Sequence, residues 1–484
     1  MPLRPLAREQ AWLLPPSLDE LLPEDHPARF VAAFVDGLST ATLAELEIDR
    51  EGEALGAPAY HPCGLLAVWL YGFMTGVRSS RKLEAACRDQ ISLLWLTGCQ
   101  RPDHNTLWRF YRSHRTAMRR LLKQTVTVAM DIGYVDLALQ AVDGTKVGAN
   151  ASADRTYDAT GLARLMERTE TAIAALEAQN EGSDDEPPSP MPPELRRAHS
   201  LQEQVRAAQE RLASQEQPTK VNLTDGDARF MKGRQGIIPG YNAQAMASPV
   251  KAPAITHPGL LITATDVVTA PTDYHQLAPM LNEAEAMTGG RAETTLADGG
   301  YHTAANLEAG DQRNQTLVMS ERYGESVRGP YFKDRFIYDE ATDSYQCPQG
   351  QTLPFRSSMA KGNALIRLYR ASRVDCRACP AFGICTKDKH TGRALWIGSA
   401  DLLLRRHRAW METDEARALY ARRKTLIEPV FGILKEQMGG RRFLLRGLAN
   451  VQAEFALLAA AFNLKTLWRF WSAGLRPAPS PAQG

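Results

Sequence analysis

An alternation of strand and helix patterns constrains this chain of 484 residues more than its composition does. Residues 137–147 read as a strand, apolar with a β-branched end, and strand patterns resume at 235–246 and 260–270. An amphipathic helix follows over 274–287, then a short strand, 293–297, that runs into Asp298-Gly299-Gly300. That is a β-β-β-α-β series whose second and third strands can pair as a hairpin, and it predicts an α/β fold on a mixed sheet with flanking helices. Two insertions interrupt the series. Residues 155–220 hold two charged helical runs around an Asp/Ser/Pro-rich stretch, which predicts a helical hairpin with a disordered tip. Residues 311–400 read as short β pieces with turns and carry four of the seven cysteines. A long helix is expected over 414–437 and another over 451–470, before a Pro/Ala/Ser-rich tail (471–484) expected to be disordered.

The region ahead of the sheet is helical. Residues 1–59 form an acidic segment of short helices; residues 60–130 form linked helices, one starting near Ser79-Ser80 and the last, after Asp103, ringed by Arg109, Arg112, Arg115, Arg119 and Arg120. Short helices with a basic last member suit a helix-turn-helix-like DNA module, although bundles of other purpose look the same. The charge is segregated accordingly. Residues 1–59 carry 4 Lys/Arg against 11 Asp/Glu (net −7), residues 60–125 carry 11 against 3 (net +8), and residues 402–446 carry 11 against 5 (net +6). The overall net of +2 hides two basic blocks that could share one surface and track a phosphate backbone, or be solvated helix faces.

Several classes are excluded. A chain 44% hydrophobic and 23% charged can bury a core, which rules out wholesale disorder, a collagen-like repeat or a small disulfide scaffold. No stretch reaches the ~20 apolar residues of a membrane helix, and residues 1–10 contain no apolar secretory core. An odd number of cysteines without an export signal predicts a reducing, cytoplasmic setting.

Three carboxylates stand where chemistry is expected. Asp143 lies late in the first strand and Asp298 at the end of the strand after the helix, each followed by glycine; Glu428 lies on the long C-terminal helix. Lys424, Glu428 and Lys435 share one face of that helix, with Ile427, Phe431, Leu434 and Met438 on the other. Carboxylates so placed can hold two Mg²⁺ (or Mn²⁺) ions for in-line displacement at phosphorus. An Asp-Gly pair is also an ordinary turn, and Asp225, Asp227 and Asp266 are equally eligible by chemistry alone.

The choice comes from resemblance. The blocks HPCGLLAVWLYGFMTGVRSSRKLE, AVDGTKVGANAS, TDGDARFMKGRQGIIPGYNAQ, LADGGYHTAANL and RRKTLIEPVFGILKEQMGGRRFLLRGL, in this order, resemble a DDE transposase of a bacterial insertion sequence across nearly all of residues 10–470. The resemblance implies an RNase H-like catalytic core over 131–470, a catalytic triad of Asp143, Asp298 and Glu428 binding two divalent ions, and strand cleavage and transfer at terminal inverted repeats. It implies a homodimer on DNA in the bacterial cytosol, associated with the nucleoid. It also implies that Lys435 belongs to a Tyr-Arg-Glu-Lys signature and contacts DNA near the cleaved end. The usual Tyr and Arg places fall on Ala421 and Lys424, with Tyr420 and Arg423 each one residue off. Lys424, Arg423, Arg441, Arg442, Arg109 and Arg112 are the further candidate DNA contacts. The Asp225 block receives no catalytic role, and its Arg229, Lys232 and Arg234 are phosphate contacts or solvated charges.

Cys347, Cys376, Cys379 and Cys385 cluster in the second insertion. Cys376-Arg-Ala-Cys379 is a tight pair able to present two thiolates to one metal, and the other two can complete a structural Cys₄ zinc site; four separate buried thiols are the alternative. Cys63, Cys87 and Cys99 are expected at helical core positions. Rival functions are a domesticated metal-dependent nuclease and a catalytically inactive DNA-binding regulator.

Overall fold

The computed structural model describes residues 17–49, 59–179, 191–214, 220–233, 236–251, 259–321, 329–361, 364–388 and 390–474. The hairpin tip, most of the tail and Arg234 lie outside these residues. Seven helices come first: α1 (Pro27–Asp36), α2 (Thr40–Glu45), α3 (Pro62–Thr75), α4 (Ser80–Asp89), α5 (Ile91–Leu96), α6 (His104–Met118) and α7 (Leu121–Asp131). Their starts follow local chemistry. Pro27 and Pro62 sit in the first turns of α1 and α3, and the side chains of His26, Ser39, His61 and Asp103 accept backbone N–H groups of the helices they precede. Ser79 precedes α4 as expected, but its hydroxyl makes no capping bond.

Helix α3 buries Leu65, Leu66, Trp69, Leu70 and Phe73, and also Val68, Tyr71 and Met74 around the rest of its surface. A helix buried on all sides has to be packed inside the protein. One continuous core joins α1, α3, α6 and α7 to the sheet strands and to the C-terminal helices, so the helical region is not packed as a separate unit. Cys63 and Cys87 are buried in it. Cys99 departs from expectation: it is exposed, in the turn after α5, with a positive φ of 63°.

The central sheet comprises β1 (Leu139–Gly148), β4 (Arg229–Gly233), β5 (Gly236–Pro249), β6 (Leu260–Val268), β7 (Thr294–Ala297) and β8 (Thr316–Met319); β2 (Thr156–Tyr157) and β3 (Val221–Asn222) form a separate short pair. Its order is β6–β5–β1–β7–β8, with β4 pairing the first part of β5. The pairs β6–β5 and β5–β1 are antiparallel, and β1–β7 and β7–β8 are parallel. Thus β8, expected within the cysteine-bearing insertion, belongs to the central sheet; four residues are too few to show whether they extend one sheet or start another.

Helices α8 (Ala159–Gln179) and α9 (Pro193–Ser214) form the hairpin of the first insertion, packed through Leu162, Val205 and Ala208. Helices α10 (Leu277–Thr288) and α11 (Ala304–Gln312) flank the sheet. The second insertion is a five-stranded sheet of β9 (Ile337–Asp339), β10 (Ser344–Gln346), β11 (Thr352–Lys361), β12 (Ala364–Arg370) and β13 (Ala394–Gly398), with the short α12 (Arg373–Ala378). The chain returns through α13 (Asp401–Met411), α14 (Asp414–Gly432) and α15 (Leu448–Ser472).

Two polar devices seat α15. Met246 pairs Ala264 while Ala247 pairs Ile262, so β6 bulges at Thr263; the fully buried Asn463 of α15 accepts from Ile262 N (2.8 Å) and donates to its carbonyl (2.9 Å). At the start of α15, Asp227 accepts from Leu448 N (2.8 Å), while Asp225 accepts from Gly447 N (3.1 Å) and from the Tyr241 hydroxyl (2.7 Å). The Asp225 block therefore serves a helix start.

Candidate active site

Register brings the first two carboxylates together. Leu139 pairs Thr294 and Ala141 pairs Leu296 in parallel strands, and continuing the same offset sets Asp143 beside Asp298. Oδ1 of Asp143 accepts from Gly144 N (2.8 Å), and Oδ1 of Asp298 accepts from Gly300 N (2.8 Å) in the turn it caps. One oxygen of each carboxylate is thus fixed by backbone. The second oxygen of Asp143 accepts from Arg423 Nη1 at 2.9 Å. Burial, helped by the Asp298 charge, raises the Asp143 carboxyl to about 6 against the opposing pull of Arg423.

Helix α14 lies across these strands through buried Leu426, Ile427, Val430 and Phe431. Arg423, one residue off the usual signature place, is the residue that reaches Asp143; Lys424 is exposed. Glu428 stands on the exposed side of the helix, between Arg423 and Lys435. After Gly432 the helix widens into a π turn over Ile433–Gln437, with Met438 N bonded to Ile433 O at 3.1 Å. Pro429 has no N–H for the preceding turn and Gly432 relaxes the next, both common at such irregularities. The wider turn rotates Lys435 off the line of Glu428 and inward, where its ammonium donates to Thr145 Oγ1 and to Lys146 O (3.3 Å).

The other basic candidates separate into two kinds. Arg442 is committed to the protein, donating to the carbonyls of Ala149 (2.8 Å) and Ala151 (2.9 Å) just beyond β1. Arg441 is exposed and paired with Glu436 at 2.6 Å, and Arg109 and Arg112 are exposed on α6.

Sequence reasoning missed a polar group beside the two aspartates. Asp273, in the link from β6 to α10, accepts from Asn242 and Gln244 of β5 (2.7 Å each) and lies 3.7 Å from the Lys146 ammonium. Gln244 in turn accepts from the Tyr301 hydroxyl. One signal was available. Asn242 and Gln244 alternate with small apolar residues in a run that reads as buried strand, and buried amides require partners.

The four cysteines of the second insertion line one cavity of about 20 Å³, together with Leu353, Phe382 and Arg393. Gln351 N points to Cys347 Sγ (3.2 Å) and Arg393 N to Cys376 Sγ (3.3 Å). Burial raises the Cys385 thiol, and the other three sulfurs add to the effect. Among the described residues no three His, Cys, Asp or Glu side chains are grouped closely enough to hold a metal ion, here or beside Asp143.

Comparison with known families adds two matches. A transposase DDE domain matches residues 346–468, and a second model, Transposase domain (DUF772), matches residues 16–113. Together the two matches support a DDE transposase of an insertion sequence. A transposase DDE domain implies a DNA-transposing nuclease or transferase, and proteins of that family typically use divalent metal ions. Glu428, Lys435 and the four cysteines fall inside the first match; Asp143 and Asp298 fall outside both. No curated protein matches the chain.

The raised Asp143 carboxyl predicts a pH dependence of stability. Between its ordinary 3.8 and about 6, the folded protein holds a proton the unfolded chain has released, so stability falls as pH rises through that window. At about 1.4 kcal/mol per unit the charged site costs on the order of 1–3 kcal/mol above the window. Chelated Asp143→Asn protein is expected to melt higher than wild type near pH 8 and at the same temperature near pH 4. Equal melting at both pH values would count against this assignment of charge.

Proposed function

We propose that this transposase cuts DNA at the terminal inverted repeats of its insertion sequence and joins the freed 3′ end to target DNA, with Asp143, Asp298 and Glu428 as catalytic carboxylates. The observation that supports the reading is the parallel β1–β7 register, whose offset carried past Ala141 and Leu296 puts Asp143 level with Asp298, beside a helix whose Arg423 reaches Asp143 and whose exposed side bears Glu428. An antiparallel β6–β5–β1 half continued by parallel β7 and β8 supports an RNase H-like core.

The donor set suits a divalent ion in its chemistry. Mg²⁺ and Mn²⁺ take hard oxygen ligands, and two half-buried carboxylates side by side favour a cation between them. Two such ions would activate the attacking water or 3′-hydroxyl and stabilise the leaving oxygen. The protein's own part is orientation: the N–H groups of Gly144 and Gly300 fix the Asp143 and Asp298 carboxylates, and Arg423 balances the charge of Asp143. Lys435 lies beside the same strand, within reach of a phosphate at the cut end as a point charge. Exposed Lys424, Arg441, Arg109 and Arg112 supply backbone contacts, and Arg442 supplies the fixed strand end behind them.

Joining an element's two ends calls for two copies on DNA, so the working form is a homodimer. A DNA substrate calls for a place in the cytosol beside the nucleoid; among the described residues no helix is long and apolar enough to cross a membrane. The test is incubation with element-end DNA and Mg²⁺. Cleavage and joining support the reading, cleavage alone favours a nuclease, and binding alone favours a regulator.

We also propose a structural zinc ion held by Cys347, Cys376, Cys379 and Cys385. The two N–H···S contacts and the shared cavity support it; the four thiols must draw together and lose protons on binding. Purified protein is expected to carry about one zinc per chain, and a Cys376→Ser/Cys379→Ser double variant to carry none. Less than about half an equivalent in wild type would count against the site.

A further inference from the structure

Asp143 and Asp298 repel one another, and residues outside the proposed triad bridge the segments that carry them. Asp273 is the hub. Its Oδ1 accepts from the amides of Asn242 and Gln244 at 2.7 Å each, both fully buried on β5. These two residues pair across the sheet with Lys146 and Gly144, so the contact abuts the segment that carries Asp143. A Cβ at Gly144 would stand 2.3 Å from Gln244 Nε2 and 2.5 Å from Asp273 Oδ1, which explains the glycine after Asp143 by space rather than by turn geometry.

The other end of Gln244 accepts from the hydroxyl of fully buried Tyr301, the last residue of the turn that Asp298 caps. Asp273 Oδ2 approaches that turn directly: a Cβ at Gly300 would stand 3.6 Å from it and 2.9 Å from Asp298 Oδ1. Lys146 completes the group, its ammonium 3.7 Å from Asp273 Oδ1 and both side chains 18% exposed. Bonds from amide donors to a carboxylate are strong and directional; Asn242 Oδ1 is buried without a partner, while the links Asn242–Asp273, Gln244–Asp273 and Tyr301–Gln244 are made and stiffen what they touch.

We propose that Asp273 is a positioning residue of the active site, setting the separation of Asp143 and Asp298 through Gln244, Tyr301 and Lys146. The proposal rests on the reading of those two aspartates as the metal-holding pair. Outer residues that orient metal-binding groups are commonly worth about 10–100-fold in metal affinity. Asp273→Asn keeps size and one acceptor but loses the charge that holds two amides and Lys146.

The test is Mn²⁺ binding to full-length protein, by titration calorimetry or by loss of the free-ion electron-spin signal, with thermal melting of the chelated protein in parallel. Asp273→Asn is expected to raise the Mn²⁺ dissociation constant about tenfold or more. Tyr301→Phe, which cuts only the link to the Asp298 turn, is expected to raise it several-fold. A residue that merely anchors its loop would lower the melting temperature and leave Mn²⁺ affinity at the wild-type value, and that result overturns the proposal. If Asp273→Asn does not melt cooperatively, Tyr301→Phe decides by the same criterion. Wild type that does not bind Mn²⁺, or Asp298→Ala that binds it like wild type, overturns the triad reading and this inference with it. Loss of binding in Asp298→Ala with unchanged binding in the Asp273 and Tyr301 variants overturns the inference alone.

Discussion

Asp298→Ala is expected to lose at least about 10³-fold in DNA cleavage, and strand joining with it, while keeping its fold. Groups that act as one catalytic unit show losses of this size when a single member is removed. The geometry explains why position 298 is the best choice. Its carboxylate stands just past the end of β7, capping a single turn through Gly300 N, so alanine removes one cap worth about 1 kcal/mol or less and no core contact. Asp143 is a poorer choice, because its replacement also releases Arg423 and alters the charge balance of a buried strand. The measurement is single-turnover cleavage of element-end DNA with Mg²⁺, beside a gel-shift assay with the metal chelated. Near wild-type cleavage by Asp298→Ala would remove Asp298 from the catalytic group. Loss of cleavage with unchanged DNA binding is the expected pair of results.

The elements of this site were legible in the sequence to different degrees. Strands β1, β5, β6 and β7 and helices α10, α14 and α15 follow from apolar periodicity and lie within a few residues of where the pattern sets them. The resemblance picked out Asp143 and Asp298; that they are neighbours is a fact of parallel register, which links residues 155 positions apart and leaves no local trace. Lys435 was aligned with Glu428 on a 3.6-residue period, and the π turn breaks that period between them. Arg442 looked like half of a basic pair aimed at DNA, yet its guanidinium closes on carbonyls nearly 300 residues earlier. Asp273 follows a strand in an ordinary Pro-Thr-Asp link, and nothing near it in sequence announces that two amides of another strand converge on it. Local physics sets the elements. The site is set by which elements become neighbours, and that depends on the whole fold.

The second large effect lies away from the chemistry. Arg78, between α3 and α4, reaches the C-terminal half of the chain, where its Nη1 meets Glu454 Oε1 of α15 at 2.8 Å. Its Nη2 donates to the carbonyls of Gly439 and Arg442. Glu454 in turn accepts from Leu444 N at 3.0 Å and from Leu445 N at 2.9 Å. Both side chains are all but inaccessible, at 6% and 2% exposure, so neither charge can turn to water if its partner is lost. Removing one member of such a pair typically costs about 3–5 kcal/mol, most of it the penalty of the charge left behind. The segment they hold joins the π turn of Lys435 to α15, and it also touches β1: Gly148 N donates to Arg441 O (3.2 Å) and Phe443 N to Gly148 O (2.9 Å). Arg78→Ala is therefore expected to destabilise the protein by about 3–5 kcal/mol, and to weaken DNA cleavage further than its melting temperature alone explains. The combined variant Arg78→Met/Glu454→Leu removes both charges together and is expected to recover most of the stability, since apolar replacements of buried ion pairs are often neutral or better. Its Leu444 and Leu445 N–H groups lose their Glu454 acceptor, so cleavage should recover less than stability does. Arg78→Ala protein that melts within about 1 kcal/mol of wild type would show that the pair is solvated in solution, and that the segment behind Lys435 is held by its bonds to β1 instead.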